Sequence, residues 1–441
     1  MGVLLATATA GACSNDTGEE IKADRPASSA PASATGPTVA SLWAFTADLH
    51  RATVERSRAA NTVIAPVAVA LGLTQARGGA GGATRDQLST VLHAGDGFDP
   101  GLDTVWRSLL AQSGERQDGD TGRKGRLSLE LASSLWGQRN TRFGEPWLTD
   151  LATTWGTGIR VTDFRSDPEE ARNAVNAWAA AETNNHITQL LRRGAVDELT
   201  RLLAPSAAYL RAPWAMPFEL NETRLTSFRR LDGTLVTVPM MQRTAETGLR
   251  VADGDGWQAV EIPYLGDDLA MTIVIPDGGR FTDIETSLDG PALVALTRSM
   301  RSSAVDLAVP QFGFTTDLEL EDTLRDLGVV DAFDPGVADF ADITEDEPLS
   351  LAGVIHQGFL SVDEQGSEAS ASAPRRTGTT GVPGTGTSLV PPAPASGSSP
   401  TTAPAAGSPR RIVADRPFLV LVTDRTTGAP ILYGRVVSPR G

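Results

Sequence analysis

The amino-acid sequence predicts an α+β fold built on a large mixed or antiparallel sheet. Helical patterns crowd the first half of the chain, and strand-like patterns dominate the second half. The chain has 441 residues, of which 40% are hydrophobic and 21% are charged. This is enough material for one large domain or two average ones, with an ample core.

Apolar side chains at helical spacing predict the helices. Leu42, Phe45 and Leu49 recur on one face, which indicates a helix over residues 39–59. Residues 67–76 are apolar nearly all round, which predicts a buried helix. Further along, the pattern predicts helices within 168–191 and 317–327 and a charged surface loop at 115–126.

Short runs rich in β-branched and apolar residues, bounded by turn residues, predict the strands. These runs cover 127–132, 207–210, 236–241, 257–264, 269–275, 305–314 and 354–362. At the C-terminus, residues 418–423 and 431–437 are separated by a turn that contains Gly428, which predicts a hairpin.

The charge of the chain and the motifs it lacks argue against several classes of function. A net charge of −16 and a pI of about 4.8 argue against nucleic acid and against anionic membranes as partners. The four histidines have no metal-binding spacing, so we expect no metal and no cofactor. The sequence contains neither a Gly-x-Ser-x-Gly elbow nor a Walker loop, and we expect no enzymatic activity.

Cys13 is the single cysteine, so no intramolecular disulfide can form. Small residues, Ala10-Gly11-Ala12, precede it and polar ones follow. Residues 1–13 therefore resemble the end of a bacterial lipoprotein signal, in which Cys13 would take a lipid and anchor the chain to a membrane. The alternative is an ordinary N-terminus with an incidental cysteine. Residues 14–37 are expected to be a disordered tether.

The stretch after residue 362 is the most informative for function. An acidic pair ends the strand-like run, and from Gly366 onward nearly every side chain is small. Alternate side chains of an inserted strand would face the core, and this inward set is Ser367, Ala369, Ala371 and Ala373. Gly366 would give the pivot its backbone freedom. The alternative is that the alternation merely begins a low-complexity tract.

That tract is long. Residues 377–409 contain only Thr, Gly, Val, Pro, Ser, Leu and Ala, with no charge between Arg376 and Arg410. Such a segment cannot bury enough apolar area to offset its ordering entropy. We therefore expect an exposed, disordered loop over 374–411.

Short sequence segments between Trp43 and Pro439 together resemble the sequence pattern of the serpin family. They include Asn61–Pro66, Gly79–Thr84, Asp163-Phe164, Asn176–Trp178, Trp214, Val238–Met241, Pro263-Tyr264, Pro310–Phe312, His356, Pro417-Phe418 and Gly434–Val436. The resemblance implies one domain over 38–441, with helices packed around three β-sheets and a long exposed reactive loop.

The resemblance also implies a function. In inhibitory serpins a serine or cysteine protease cleaves the reactive loop, and the freed segment inserts into the central sheet while the acyl-enzyme is trapped. By this resemblance the partner is a target protease, and the chain is an extracellular or cell-surface monomer. The implied hinge comprises Glu364, Gly366, Ser367, Ala369, Ala371 and Ala373. The implied scissile bond is Thr380-Gly381, with Arg375-Arg376 as the alternative. His356 and Ser206 fall in the region that controls sheet opening.

Several residues depart from the family's pattern. Pro374 lacks an amide hydrogen, and Arg375 would be the next inward side chain. The loop is about twice the usual length, and cleavage at the distant Arg410 would leave the protease on about 100 Å of loose chain. Ser206 stands where an asparagine is usual. The second hypothesis is therefore a non-inhibitory serpin-fold binding protein whose long loop is only a protease substrate.

Overall fold

The computed structural model describes residues 17–26, 35–119, 121–367 and 409–440. Several predicted features lie outside these residues: the segment 1–13 with Cys13, the hinge residues Ala369, Ala371 and Ala373, and both candidate scissile bonds, Thr380-Gly381 and Arg375-Arg376.

Nine α-helices occur in the described ranges, and eight of them lie in the first 300 residues. They are α1 (Gly36–Arg56), α2 (Pro66–Gly78), α3 (Gly82–Val91), α4 (Phe98–Leu110), α5 (Glu145–Trp155), α6 (Pro168–Glu182), α7 (Phe281–Ser287), α8 (Gly290–Ser299) and α9 (Glu321–Asp326). Proline stands in the first turn of α1, α2, α5, α6 and α8, where its missing amide hydrogen has no intrahelical partner to lose. The Asp167 carboxylate caps α6 by accepting from the backbone N–H of Glu170 at 3.0 Å.

Along the chain, the strands of the described residues first alternate with these helices and later follow one another with few helices between them. They are β1 (Glu19–Ile21), β2 (Thr62–Ile64), β3 (Gly114–Gln117), β4 (Lys124–Ser133), β5 (Trp136–Gln138), β6 (Ile159–Thr162), β7 (Leu202–Pro213), β8 (Arg224–Arg229), β9 (Leu235–Gly254), β10 (Trp257–Pro263), β11 (Leu269–Pro276), β12 (Arg301–Pro310), β13 (Phe312–Glu319), β14 (Leu351–Val362), β15 (Gly366–Ser367), β16 (Arg410–Val413), β17 (Phe418–Asp424) and β18 (Pro430–Val436).

These strands form two large sheets. The first has the order β1-β6-β5-β7-β15-β14-β13, with β4 paired to β7 and β3 to β4. The second has the order β16-β12-β9-β10-β11-β17-β18-β2, with β8 paired to β9. The α+β prediction is confirmed. The three sheets that the resemblance implies are compatible with this arrangement, because β9 is long enough to pair with β8 at its start and with β10 at its end.

Apolar side chains pack on both faces of the first sheet. The larger cluster lies between the two sheets and beneath α1 and α2, and it includes Leu42, Trp43 and Leu210. The smaller cluster lies on the opposite face under α6, where Trp178 packs edge-on against Trp136. On β7, even-numbered residues such as Ala204 and Ala208 belong to the larger cluster, and odd-numbered ones such as Leu203 and Ala207 to the smaller. This alternation determines which of the two clusters the side chain of an inserted residue would contact.

Three element predictions were wrong. Residues 305–314 do not form one strand, because β12 ends at Pro310 and β13 begins at Phe312 in the other sheet. Residues 317–327 are not one helix, because β13 continues to Glu319 and α9 begins only at Glu321. The pattern in Phe312, Phe314, Thr316 and Leu318 has a period of two, which fits a strand. Residues 115–126 are not a plain loop either, since β3 pairs antiparallel with the start of β4 and forms a hairpin.

The predicted tether over 14–37 also differs from the structure in the part that is described. Residues 19–21 form β1, which adds an edge strand to the first sheet by antiparallel pairing with β6. The Glu20 carboxylate fixes the register by accepting from the backbone N–H of Gly158 at 2.7 Å. The helix α1 begins at Gly36, inside the predicted tether. Among the described helices, none is both long and apolar enough to cross a bilayer.

Candidate functional site

The predicted hinge begins inside the first sheet, between two of its central strands. Strands β7 and β14 pair in parallel from Leu202 and Leu351 up to Ala208 and Gly358, where their direct pairing ends. At the far end of the same strands, β15 lies between them. It runs antiparallel to both and is hydrogen-bonded to each, which makes it the start of a further strand.

Ser367 is the buried residue at the entrance of this gap. It lies opposite Ala212 of β7 and Val362 of β14, and only 1% of its surface is exposed. Its hydroxyl is 2.6 Å from the hydroxyl of Tyr264, whose ring stacks on Trp214 at a centroid distance of 4.7 Å. Burial raises the pKa of Tyr264, so the phenol stays protonated and the pair remains neutral. The small Ser367 hydroxyl therefore fits this buried pocket and makes its hydrogen bond there. The pocket has no room for a charged side chain.

A tight turn connects β14 to β15 and places β15 in the gap between β7 and β14. The Asp363 carboxylate accepts from the backbone N–H groups of Gln365 and Gly366 at 2.8 and 3.1 Å. The indole N–H of Trp214 donates to the Asp363 carbonyl at 3.0 Å, and its backbone N–H donates to the Gln365 carbonyl at 2.9 Å. Asp363 thus holds the reversal of the chain, a role that its short acceptor side chain suits.

Glu364 is anchored rather than solvated. Its side chain is 4% exposed and accepts from the Thr223 hydroxyl at 2.6 Å and from the Gln311 amide at 2.7 Å. Its backbone carbonyl accepts from the N–H of Phe218 at 2.8 Å. The carboxylate therefore ties the hinge to the connection before β8 and to the junction of β12 and β13.

Gly366 is required for a reason that differs from the predicted one. Its backbone is not in the left-handed region, so freedom to adopt a positive φ is not what it supplies. A Cβ added at this position would instead collide with the carbonyl oxygen of Ala212. Glycine allows β15 to approach β7 closely.

His356 and Ser206 form a link between β7 and β14 farther down the sheet. They are directly opposite in the register, and the His356 Nδ1 lies 3.0 Å from the Ser206 hydroxyl. The other ring nitrogen, Nε2, accepts from the backbone N–H of Ala65 at 3.0 Å, which places the proton on Nδ1. Complete burial lowers the pKa of His356 to about 3, so the ring is neutral. This neutral ring joins both strands to the start of α2.

The neutral state of His356 predicts how stability depends on pH. Because the folded-state pKa lies below the ordinary value of 6.5, the unfolded chain binds more protons between these two values, and stability falls as the pH drops from 6.5 toward 3. This group contributes a slope of up to about 1.4 kcal/mol per pH unit. Urea unfolding between pH 7.5 and 4.5 should show a shallower loss for His356→Gln than for the wild type.

His50 does not change the direction of this test. Burial also lowers its pKa, so it adds a loss of the same sign to both proteins. An equal pH slope in the wild type and the His356→Gln variant would contradict the assignment of a buried neutral ring at position 356.

The C-terminal attachment of the loop is also structured. Arg410 begins β16, which pairs in parallel with β12. Its guanidinium makes two bonds to the Asp253 carboxylate, one of them 2.6 Å long, and one to Gln258 at 3.2 Å. The bonds to Arg410 lower the pKa of Asp253. The predicted loop over 374–411 is therefore too long at this end, because Arg410 and Arg411 are part of β16.

This clamp predicts a protease-sensitivity result. A trypsin-like protease must draw the arginine side chain into its specificity pocket, which Arg410 cannot enter while it holds Asp253. We expect Asp253→Ala to speed tryptic cleavage after Arg410, measured by mass spectrometry of the fragments. Asp255→Ala is the matched control, since the Asp255 side chain is 97% exposed and pairs with Arg280. Equal cleavage in both variants would show that the strand alone protects the bond.

The described residues of the predicted hinge, Glu364, Gly366 and Ser367, lie together where β14 turns into β15. No local sequence pattern indicated the partners that hold them, namely Thr223, Gln311, Tyr264 and Trp214. The last three appeared only as parts of the family resemblance. They are up to 150 positions from the hinge, and no local periodicity connects them to it. Within the described residues, no cluster of histidine, cysteine and acidic side chains could hold a metal ion.

Comparisons with known proteins agree with this geometry. The family model "Serpin (serine protease inhibitor)" matches residues 40–439. An uncharacterized serpin-like protein of Thermococcus kodakarensis is 30% identical over 404 residues, covering 92% of this chain and 86% of that protein. Plasminogen activator inhibitor 1 of Bos taurus is 28% identical, covering 90% and 91% of the two chains. A crystal structure of maspin superimposes with a TM-score of 0.75 at 22% identity, covering 92% of this chain and 100% of that one. The chain belongs to the serpin family, whose members are typically protease inhibitors.

Proposed function

We propose that this protein inhibits serine-type or cysteine-type endopeptidases by cleavage of its loop and insertion of the freed segment between β7 and β14. One observation carries the proposal: β15 is hydrogen-bonded to both strands that flank the gap. A segment that already begins as a strand there can lengthen without a new nucleation step.

The register of β15 predicts the next steps of insertion. Because Ser367 lies opposite Ala212 and Val362, residue 369 would lie opposite Leu210 and Leu360. Both leucines are fully buried and face the main core. The alanine at 369 would fit over them, because a small side chain adds little volume to a packed interior. This step needs no separation of β7 from β14, whose direct pairing starts only at Ala208.

Deeper insertion must open the sheet. Ala371 would arrive opposite Ala208 and Gly358, the first directly paired residues, and Ala373 opposite the linked pair Ser206 and His356. The bond between His356 and Ser206 must then break. We therefore assign this pair to the control of sheet opening, as the resemblance implies.

The reactive bond follows from the same count. Cleavage at Thr380-Gly381 would free a segment long enough to fill the paired length of β7 and β14. Cleavage at Arg375-Arg376 would free less of it. The length of the loop after the scissile bond has less effect on insertion, because only the segment before that bond enters the sheet. We propose Thr380-Gly381, with Arg375-Arg376 as the alternative for trypsin-like proteases.

The test is incubation with trypsin, pancreatic elastase and subtilisin, followed by denaturing electrophoresis and mass spectrometry. An inhibitor gives a complex that survives SDS, with the N-terminal fragment ending at the scissile bond. Each protease inactivated by a serine-directed reagent serves as the control and should give no complex. Clean loop cleavage by all three proteases with no complex would contradict inhibition.

The second candidate is a non-inhibitory serpin-fold binding protein, and some serpin-fold proteins are of this kind. One observation favours it: the register would place Arg375 opposite Ala204 and Val354, each 2% exposed, where a guanidinium has no water. Full insertion would bury this charge at a cost of several kcal/mol.

The setting of the reaction is proposed as extracellular, with the protein acting as a monomer at the cell surface or after secretion. A lipid on Cys13 would keep it at a membrane. Metabolic labelling with a fatty-acid analogue, with Cys13→Ser as the control, tests this anchor. Labelling that persists in Cys13→Ser would rule out Cys13 as the lipid site.

A further inference from the structure

We propose that Arg123, in the hairpin formed by β3 and β4, is a positioning residue for the loop hinge. Arg123 holds Trp214 in place, and Trp214 holds the chain reversal that puts β15 in the gap. The inference rests on the proposed function only for its effect on protease trapping. The contact between Arg123 and the hinge partner can be tested in the uncleaved protein.

The hairpin extends past the end of β7. Residues 128–133 of β4 pair with β7, whereas residues 124–127 pair with β3. Ser128 lies opposite Arg211, and β7 ends two residues later at Pro213. The hairpin therefore lies beside the segment that follows β7, which begins with Trp214.

The turn of the hairpin fixes the backbone of Arg123. The Asp118 carboxylate accepts from the backbone N–H and the hydroxyl of Thr121 at 2.6 and 2.7 Å. The N–H of Asp118 donates to the carbonyl of Arg123 at 2.9 Å. Gly122 has a φ of 68°, in the left-handed region that glycine adopts without strain. The Arg123 side chain therefore projects from an ordered backbone.

The Arg123 guanidinium bonds to two successive carbonyls just after β7. It donates to the carbonyl of Trp214 and to that of Ala215, the latter at 3.2 Å. Arg123 is half-buried at this contact. Because a charged donor makes a stronger hydrogen bond than a neutral one, the guanidinium restrains the Trp214 segment.

Trp214 passes this restraint to the hinge. Its backbone N–H donates to the carbonyl of Gln365 at 2.9 Å, and its indole N–H donates to the carbonyl of Asp363 at 3.0 Å. Its ring stacks on Tyr264, whose hydroxyl is 2.6 Å from that of Ser367. One tryptophan therefore acts on positions 363 and 365 directly and on position 367 through Tyr264.

The hairpin also packs closely against the residues next to both hinge partners. A Cβ added at Gly125 would lie 3.0 Å from the side chains of Leu265 and Pro213. Leu265 follows Tyr264 in the sequence, and Pro213 precedes Trp214. The same hairpin that carries Arg123 therefore supports both partners from the side away from the hinge.

The test is amide hydrogen exchange of the uncleaved full-length protein, measured by mass spectrometry on peptides that contain Trp214 and residues 363–367. Arg123→Met removes the donor and keeps most of the side-chain length, whereas Arg123→Lys keeps the charge. Arg126→Met is the matched control on the same hairpin. The Arg126 side chain is 70% exposed and pairs with Glu115 at 3.8 Å.

We expect Arg123→Met to speed exchange in these peptides about tenfold, because the Trp214 segment loses a charged hydrogen-bond donor. Arg123→Lys should restore part of the protection, and Arg126→Met should exchange like the wild type. Peptides from β17 serve as the internal reference. Exchange in Arg123→Met that matches the wild type, or that is equally faster in β17, would overturn the proposal.

The same variants are then incubated with pancreatic elastase. Arg123→Met should consume several-fold more protein per trapped elastase molecule, because a loosely held β15 enters the gap more slowly after cleavage. Trapping by Arg123→Met with the wild-type stoichiometry would overturn its role in insertion. If no protein traps elastase, the wild type included, the proposed function fails, and the exchange rates still decide whether Arg123 positions the hinge.

Discussion

Ser367→Arg should abolish the proposed protease trapping and leave the protein a protease substrate. The wild-type side chain is buried between Ala212 and Val362, with its hydroxyl bonded to Tyr264. An arginine there must either bury an unpaired charge, which costs several kcal/mol, or expel β15 from the gap. We expect expulsion, followed by loop cleavage without trapping. SDS-stable complex should fall to less than about a tenth of the wild-type yield, a loss that a difference of about 1.4 kcal/mol between the two outcomes would produce.

The matched control is Ser367→Thr, which keeps the hydroxyl and adds one methyl group. It should retain most of the complex, with a small loss from crowding against the neighbouring strands. The unfolding temperature of the uncleaved Ser367→Arg variant separates a hinge effect from general misfolding. Trapping by Ser367→Arg at the wild-type yield would show that this residue does not have to enter the sheet.

Arg375→Ala should improve inhibition, which is an unusual direction for a substitution. If the segment inserted in the register of Ser367, residue 375 would lie over the main core between Ala204 and Val354. Removing the guanidinium takes away a buried charge from the inserted state, and even about 1.4 kcal/mol in the insertion barrier changes its rate tenfold. We expect up to about tenfold fewer inhibitor molecules to be consumed per trapped elastase molecule.

Arg376→Ala is the matched control, because this neighbouring side chain would face the opposite side of the sheet. It carries the same charge and should change the stoichiometry little. Elastase is used because it does not select arginine, so loss of a cleavage site cannot mimic the effect. Equal stoichiometries for Arg375→Ala and Arg376→Ala would show that insertion ends before residue 375 or follows another register.

Local sequence patterns predicted most of the fold. The buried helix α2 and the C-terminal hairpin of β17 and β18 follow from apolar runs and a turn glycine. The strand β1 could not be found in this way. Its three residues, Glu-Glu-Ile, have the composition of a polar tether, and their pairing depends on the distant Gly158 and β6.

Sequence patterns predict which residues form the hinge, and they do not predict the contacts of those residues. Small side chains at 366 and 367 predict a segment able to enter a sheet, and in the structure these two residues form β15, which pairs with β7 and β14. The glycine at 366 was assigned to backbone freedom, whereas close approach to Ala212 is what requires it. Such a contact joins residues far apart in sequence, so only three-dimensional packing reveals it.

The most direct test of loop insertion is the unfolding temperature before and after a single cut in the loop. Limited elastase treatment, with the cut position read by mass spectrometry, supplies the cleaved protein. Insertion would complete the first sheet with a new central strand, and a gain of about 5 kcal/mol would raise the unfolding temperature of a domain of about 400 residues by about 6 °C. We expect this rise for the wild type and no rise for Ser367→Arg. A wild-type protein cut before Thr380-Gly381 or at that bond, with an unchanged unfolding temperature, would contradict it.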